Sequence, residues 1–304
     1  MMTPAWQTWL FAATAIVTIS MNLLFHPDLM VQLFVLVPAI AILGLPHGAL
    51  DLSIAQALWP LVGWQGKARF VSAYVGLTLL VIGFWIVFPG PALFGFLIYS
   101  AFHFSSDWDG EDNLLRIIGG ITTVGAPALF WQAKVAAIFA YLAPEPAANL
   151  AALSLAIAGC VALILCVSLT ILCPMVRTRA TVEQGIIWIA AACLSPLVYF
   201  VIYFCSLHTV RHFTSALASL ENQRHALRTA GLLTAITVFG GLIGFTILQK
   251  SDAAVPEQSI LQIVFIGIAA LTVPHMLLVD RFQKLKHAPK PLIFDAASPA
   301  SRCR

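Results

Sequence analysis

Charge is what this sequence has least of. Asp, Glu, Lys and Arg make up 10% of its 304 residues, less than half of the about 25% usual in soluble domains. That shortage excludes a soluble globular fold, and 60% hydrophobic content with a mean hydropathy of +0.93 excludes disordered and collagen-like chains. A basic excess is missing too. The net charge of +3 comes from a few loop and tail residues, so no polyanion-binding face is expected and nucleic acid is not a partner. Paired cysteines are absent: Cys160, Cys166, Cys173, Cys193 and Cys205 lie singly in apolar stretches, Cys303 lies in the tail, and no C-x-x-C occurs. They read as small apolar fillers rather than zinc ligands or disulfides.

What the chain has in abundance is uncharged length. The first charge is Asp28, and further apolar runs cover 29–46, 48–64, 70–88, 91–106, 117–143, 146–176, 184–207, 229–249 and 259–279. About 20 apolar residues cross the roughly 30 Å of a bilayer's hydrocarbon. The expectation is an all-α, polytopic transmembrane bundle of eight to ten spans. Residues 5–25 read as an uncleaved first span, because a basic flank, and an A-x-A cleavage site followed by a soluble domain, are lacking. One catalytic domain is expected over 1–282, followed by a basic tail over 283–304. Arg281, Lys284, Lys286 and Lys290 in one cluster, and Arg211, Arg224 and Arg228 in another, place both regions in the cytoplasm. Both termini are then cytoplasmic and the protein sits in the cell membrane.

Ionisable groups in a bilayer are costly, and those present are candidates for function. Of eight histidines, His26, His225 and His287 sit beside charged residues and read as solvated. The other five fall at ends or breaks of apolar runs. His208 and His212 form H-T-V-R-H, an i, i+4 pair that one helical face can bring to one ion. The glutamate of a zinc peptidase motif is absent after His208, which excludes that enzyme class. His47 lies in G-L-P-H-G-A-L-D, where Gly44, Pro46 and Gly48 predict a broken or re-entrant segment near 44–64. His103 lies in F-H-F-S-S-D-W and His275 in P-H-M-L-L-V-D. Asp51 and Asp107 stand at i+4 from His47 and His103, placed to accept the second N–H of a metal-bound imidazole. If 48–64 does not cross, all these histidines reach the cytoplasmic side. Imidazole ligation fits Zn, Cu, Fe or Ni, and the residues alone leave that choice open.

In combination these motifs resemble the Brp/Blh family of membrane β-carotene 15,15′-dioxygenases. The resemblance runs from about residue 40 to 282. It implies a non-haem Fe(II) enzyme that cleaves the central double bond of β-carotene with O2 to give two molecules of retinal. It implies iron held by His47, His103, His208 and His212, with His275, Asp51 and Asp107 near the site. Phe102, Phe104 and Trp108, flanking His103, are expected at the substrate. Membrane lipid surrounds the enzyme, and retinal passing to a rhodopsin is a further expected partnership. Two rivals stand beside this reading. One is a transporter or channel with intramembrane histidines, which calls for mid-membrane acids on several helices. The other is a different histidine-ligated membrane oxidoreductase acting on a lipid, commonly marked by H-x-x-H-H clusters, and no H-H pair occurs here.

Overall fold

The structure is a computed structural model that describes residues 4–25, 27–59, 61–108, 111–250 and 255–287, with side chains to 282. The expectations for His26, His287, Cys303 and most of the tail lie outside the described side chains. Every described element is a helix: α1 (Ala5–Leu24), α2 (Leu29–Ala39), α3 (Leu45–Ala49), α4 (Asp51–Leu58), α5 (Gly63–Val87), α6 (Pro89–Ser105), α7 (Asn113–Ala140), α8 (Glu145–Leu172), α9 (Arg179–Cys193), α10 (Pro196–Tyr203), α11 (Thr209–Ala218), α12 (Gln223–Leu248) and α13 (Pro256–His287).

Seven of the helical rods are long and apolar enough to cross a membrane: α1, Leu29–Leu58, α5, α7, α8, α12 and α13 to Phe282. Eight to ten spans were expected, and the difference lies at α6 and at the 184–207 run. α6 has only 17 residues. The 184–207 run is divided, because Pro196 begins a new helix after an extended Leu194 and Ser195. The break expected near 44–64 takes the form of an interruption within one rod rather than a re-entrant loop. Asp28 starts that rod by accepting the Val31 N–H at 2.8 Å. Pro38 then removes one backbone donor, a π-helical turn comes next over Ile40–Gly44, and α3 and α4 continue to Leu58.

Packing is inverted relative to a soluble protein. Large apolar side chains such as Trp9, Leu24, Ile86 and Leu172 face outward, while His, Asp, Glu183 and Arg211 are buried. Only a lipid surround makes such an outer face stable. Without a hydrophobic drive between helices, association rests on close backbone approach. α7 and α8 show it best: a Cβ on Gly125 would stand 2.9 Å from the Gly159 Cα. Pro127 in α7 cannot bond the Thr123 carbonyl, and the Tyr199 hydroxyl of α10 donates to it instead, at 2.9 Å. The same helix kinks at Trp131, carrying its last two turns around an interior cavity.

Candidate metal centre

Two π-helical turns aim the histidines. Each adds one residue to a helical turn and so rotates the downstream helix by about 100°. Ile40–Gly44 immediately precedes α3 with His47, and Phe204–His208 ends on a histidine. The turns pack against each other through Phe204, whose ring stacks on His208 (centroids 5.5 Å, 18°) and meets His47 edge-on at 5.8 Å. α6 supplies His103, α11 His212 and α13 His275. All five expected histidines therefore converge, with ring centroids 4.5 to 6.0 Å apart across neighbouring pairs.

The Nδ1 atoms of three of them are fixed, whereas that of His103 is buried without a hydrogen-bond partner. His208 Nδ1–H donates to the Asp107 carboxylate, at 3.1 and 3.2 Å from its two oxygens. His275 Nδ1–H donates to Asp51 Oδ1 at 2.8 Å, and His47 Nδ1–H to the Gly44 carbonyl at 2.5 Å. Carboxylates and carbonyls only accept, so each of these rings carries its proton on Nδ1 and a lone pair on Nε2. The Nε2 atoms of His103 and His208 face each other at 3.1 Å. Two imidazoles about 2.1 Å from one metal ion, at right to tetrahedral angles, stand about 3.0–3.4 Å apart. One ligating nitrogen from each of His47, His103 and His275 falls within a 4.8 Å group, and Asp107, His208 and His212 form a second such group. The donor set fits a divalent metal that favours imidazole.

The aspartates serve other histidines than the spacing implied. Asp51 supports His275 across the bundle rather than His47, because α3 ends at Leu50 and α4 turns it away. Asp107 supports His208 and His212 rather than His103, because the chain tightens into a 3₁₀ turn over Ser106–Trp108. His212 gives its Nε2–H to Asp107 Oδ1 at 2.9 Å and, at 18% exposure, sits at the rim. Of the aromatic residues expected at a substrate, Phe104 packs on His208 (4.9 Å) and lines the cavity. Phe102 faces outward, 67% exposed, and Trp108 is buried and lines a separate small pocket with Gln184. His225 is exposed, as expected.

Several supporting residues carry no signal in the sequence. Tyr74 donates to Asp51 Oδ2 at 2.9 Å and Tyr203 donates to Asp107 Oδ2. Arg211, between the two histidines of H-T-V-R-H, donates to the Asp107 backbone carbonyl at 2.5 Å and pairs with Glu183 at 2.8 Å. Thr8 of α1 also donates to Glu183, at 2.5 Å. A buried Arg–Glu pair was signalled only by an acid at the edge of an apolar run. Against His47, His103 and His275 lies an apolar cavity of about 410 Å³, bounded by α5, α6, α7, α10, α12 and α13.

A family model described as beta-carotene 15,15'-dioxygenase matches residues 38–283. The chain belongs to the beta-carotene 15,15'-dioxygenase family. A protein of that name from an uncultured marine bacterium, 66A03, is 31% identical over 255 residues, spanning 79% of this chain and 90% of the relative. No solved structure matches. The family segment begins two residues before the first π-helical turn and ends just past Phe282, so it takes in all five histidines and both aspartates. α1 lies ahead of it, yet supplies Thr8 and Gln7 to the polar contacts behind the site.

Proposed function

We propose that this protein is an iron-dependent dioxygenase that cleaves the central 15,15′ double bond of β-carotene to give two molecules of retinal. The observation that carries the reading is the convergence of His47, His103, His208 and His275 beside an apolar cavity inside a lipid-facing bundle. Family membership supplies the substrate class. In the overall reaction one C=C bond breaks and each carbon takes one oxygen atom from O2. No other reductant or proton is required. Fe(II), when bound, supplies the site where O2 is activated beside the alkene.

The chain's own residues do the rest. His47, His103 and His208 would hold the metal. His275 would be the fourth ligand, because its Nδ1–H is committed to Asp51 and leaves Nε2 free, whereas the Nε2 of His212 is committed to Asp107. Asp51, with Tyr74 behind it, and Asp107, with Tyr203 and Arg211 behind it, keep the rings oriented and raise their basicity. The apolar walls exclude water and hold the polyene from the bilayer without its passing through an aqueous phase.

The protein lies in the cell membrane. α6 and two limbs, α9 and 196–218, add three passes to the seven long rods, giving ten with both termini cytoplasmic. The basic 283–304 segment is then a cytoplasmic tail, as the Lys and Arg bias requires. Retinal leaves into the lipid, where a rhodopsin is a suitable acceptor. The ligand assignment is tested by metal content: His275→Ala and His47→Ala lose bound iron, whereas His212→Ala retains most of it and slows turnover. Full iron occupancy in His275→Ala would return the fourth position to His212.

A further inference from the structure

The cavity beside the histidines has one open end and one closed end. At the open end the lining side chains Val71 and Val75 of α5 and Ile236 of α12 are 37%, 47% and 57% exposed, facing lipid between those helices. At the other end the lining passes onto the kinked last turns of α7 and onto α8. There Val135 and Leu142 are 4% and 5% exposed, with Phe139 and Leu155 half-buried beside them. The histidines lie between. Measured along α13, the lining runs from His275 back to Phe265, ten residues or about 15 Å at helical rise. Along α6 it runs from His103 back to Phe96, seven residues or about 10 Å. A closed arm therefore extends about 10–15 Å beyond the metal-binding nitrogens. It is apolar and of a length that takes one ring-ended half of a carotenoid.

We propose that this closed arm is a length gauge: the leading ring of the polyene stops against Phe139, Leu142 and Leu155, and the depth of that stop decides which double bond lies under the histidines. The proposal rests on the site being a carotenoid-cleaving centre. The interior double bonds of a long conjugated chain are chemically near-equivalent. An interior bond is therefore selected only by position. His47, His103 and His275 line the cavity beside its apolar walls, and position along the chain must then be set at a wall. Phe139, Leu142 and Leu155 are specificity-determining residues that touch neither the metal-binding histidines nor their aspartates.

The test measures which carbonyl products form. Leu155→Ala and Phe139→Ala deepen the arm, and Leu142→Phe shortens it. Each is assayed as the full-length protein in lipid nanodiscs, with iron content measured in the same sample and products separated by chromatography with mass detection. In the wild type a single aldehyde, retinal, is expected. In iron-replete variants a pair of unequal carbonyl products is expected to appear, one longer and one shorter than retinal, the shorter being a methyl ketone where the broken double bond carries a methyl group. Because β-carotene is symmetric, deepening and shortening give the same unequal pair. Retinal alone from both a deepened and a shortened variant, each with wild-type iron content, overturns the gauge while leaving the enzyme reading intact. No cleavage at any bond by iron-loaded wild-type protein overturns the enzyme reading, and the gauge with it. Having variants of both signs keeps the outcome readable if one of them fails to bind iron.

Discussion

Gly44 is the position at which a single methyl group tests how the site is held. A Cβ there would stand 2.7 Å from Phe204 Cε1 and 3.4 Å from Phe204 Cδ1 and Ile40 Cγ2. The ring must retreat from 2.7 Å to at least ordinary contact distance, yet it is already stacked on both Phe200 and His208 and meets His47 in a T-shaped contact. Overpacking of this kind costs about 1–3 kcal/mol. A displacement approaching an ångström in a group that positions the chemistry can lower rate by about a hundredfold. Gly44→Ala is therefore expected to lower retinal formation by about 10- to 100-fold and to weaken iron retention. Phe204→Leu, which removes the ring's far edge, is expected to lower activity modestly alone and to restore much of the loss when combined with Gly44→Ala. The coupling in that double-mutant cycle is expected at about 1–2 kcal/mol. The assay is turnover per bound iron in nanodiscs, with thermal unfolding of each variant alongside. Wild-type turnover in Gly44→Ala would refute the close approach of the two π-helical turns. A loss that Phe204→Leu leaves untouched would show that the damage does not travel through the ring.

The hydrogen bonds behind the histidines carry further expectations. Asp51→Asn keeps the shape but gives His275 a weaker acceptor, and is expected to lower metal affinity by about 10- to 100-fold, read by competition with a chelator. Tyr74→Phe removes only the outer hydroxyl and is expected to have a smaller effect in the same assay. Glu183→Gln leaves the buried Arg211 guanidinium without its counter-ion, and breaking such a pair from one side costs about 3–5 kcal/mol. A large drop in unfolding temperature is expected, whereas replacing both Arg211 and Glu183 with apolar residues of similar size is expected to cost less. An unchanged unfolding temperature in Glu183→Gln would mean that the pair does not tie α9 to α11.

Much of the site was legible because polar groups are rare in this chain. When ten percent of residues carry charge, each histidine at a helix break stands out, and all five singled out in this way converge. Spacing along the sequence failed at the aspartates. An i, i+4 rule holds only while the helix continues, and the junction at Leu50 and the 3₁₀ turn at Ser106 both end it. Asp51 and Asp107 do lie near the site, but each supports a histidine more than 100 residues distant, through a contact no local pattern encodes. Tyr74, Tyr203 and Glu183 were missed for the same reason, since each is an ordinary residue until its partner is known. Phe102 and Phe104 are two residues apart in an apolar helix, and hydropathy could not tell which faced the histidines and which faced lipid. The span count was blurred where Pro196 and the two π-helical turns divide long apolar runs without adding charge.

The proposed cleavage depends on an imidazole-bound iron in an apolar chamber. Its most direct test is a titration of iron into metal-free protein in nanodiscs containing β-carotene, under ¹⁸O₂. Retinal is expected to rise in proportion to bound iron, with label in both aldehyde products of each cleavage, and no retinal is expected from His47→Ala under the same conditions. Retinal formed without dependence on iron, or intact β-carotene beside fully iron-loaded protein, would contradict it.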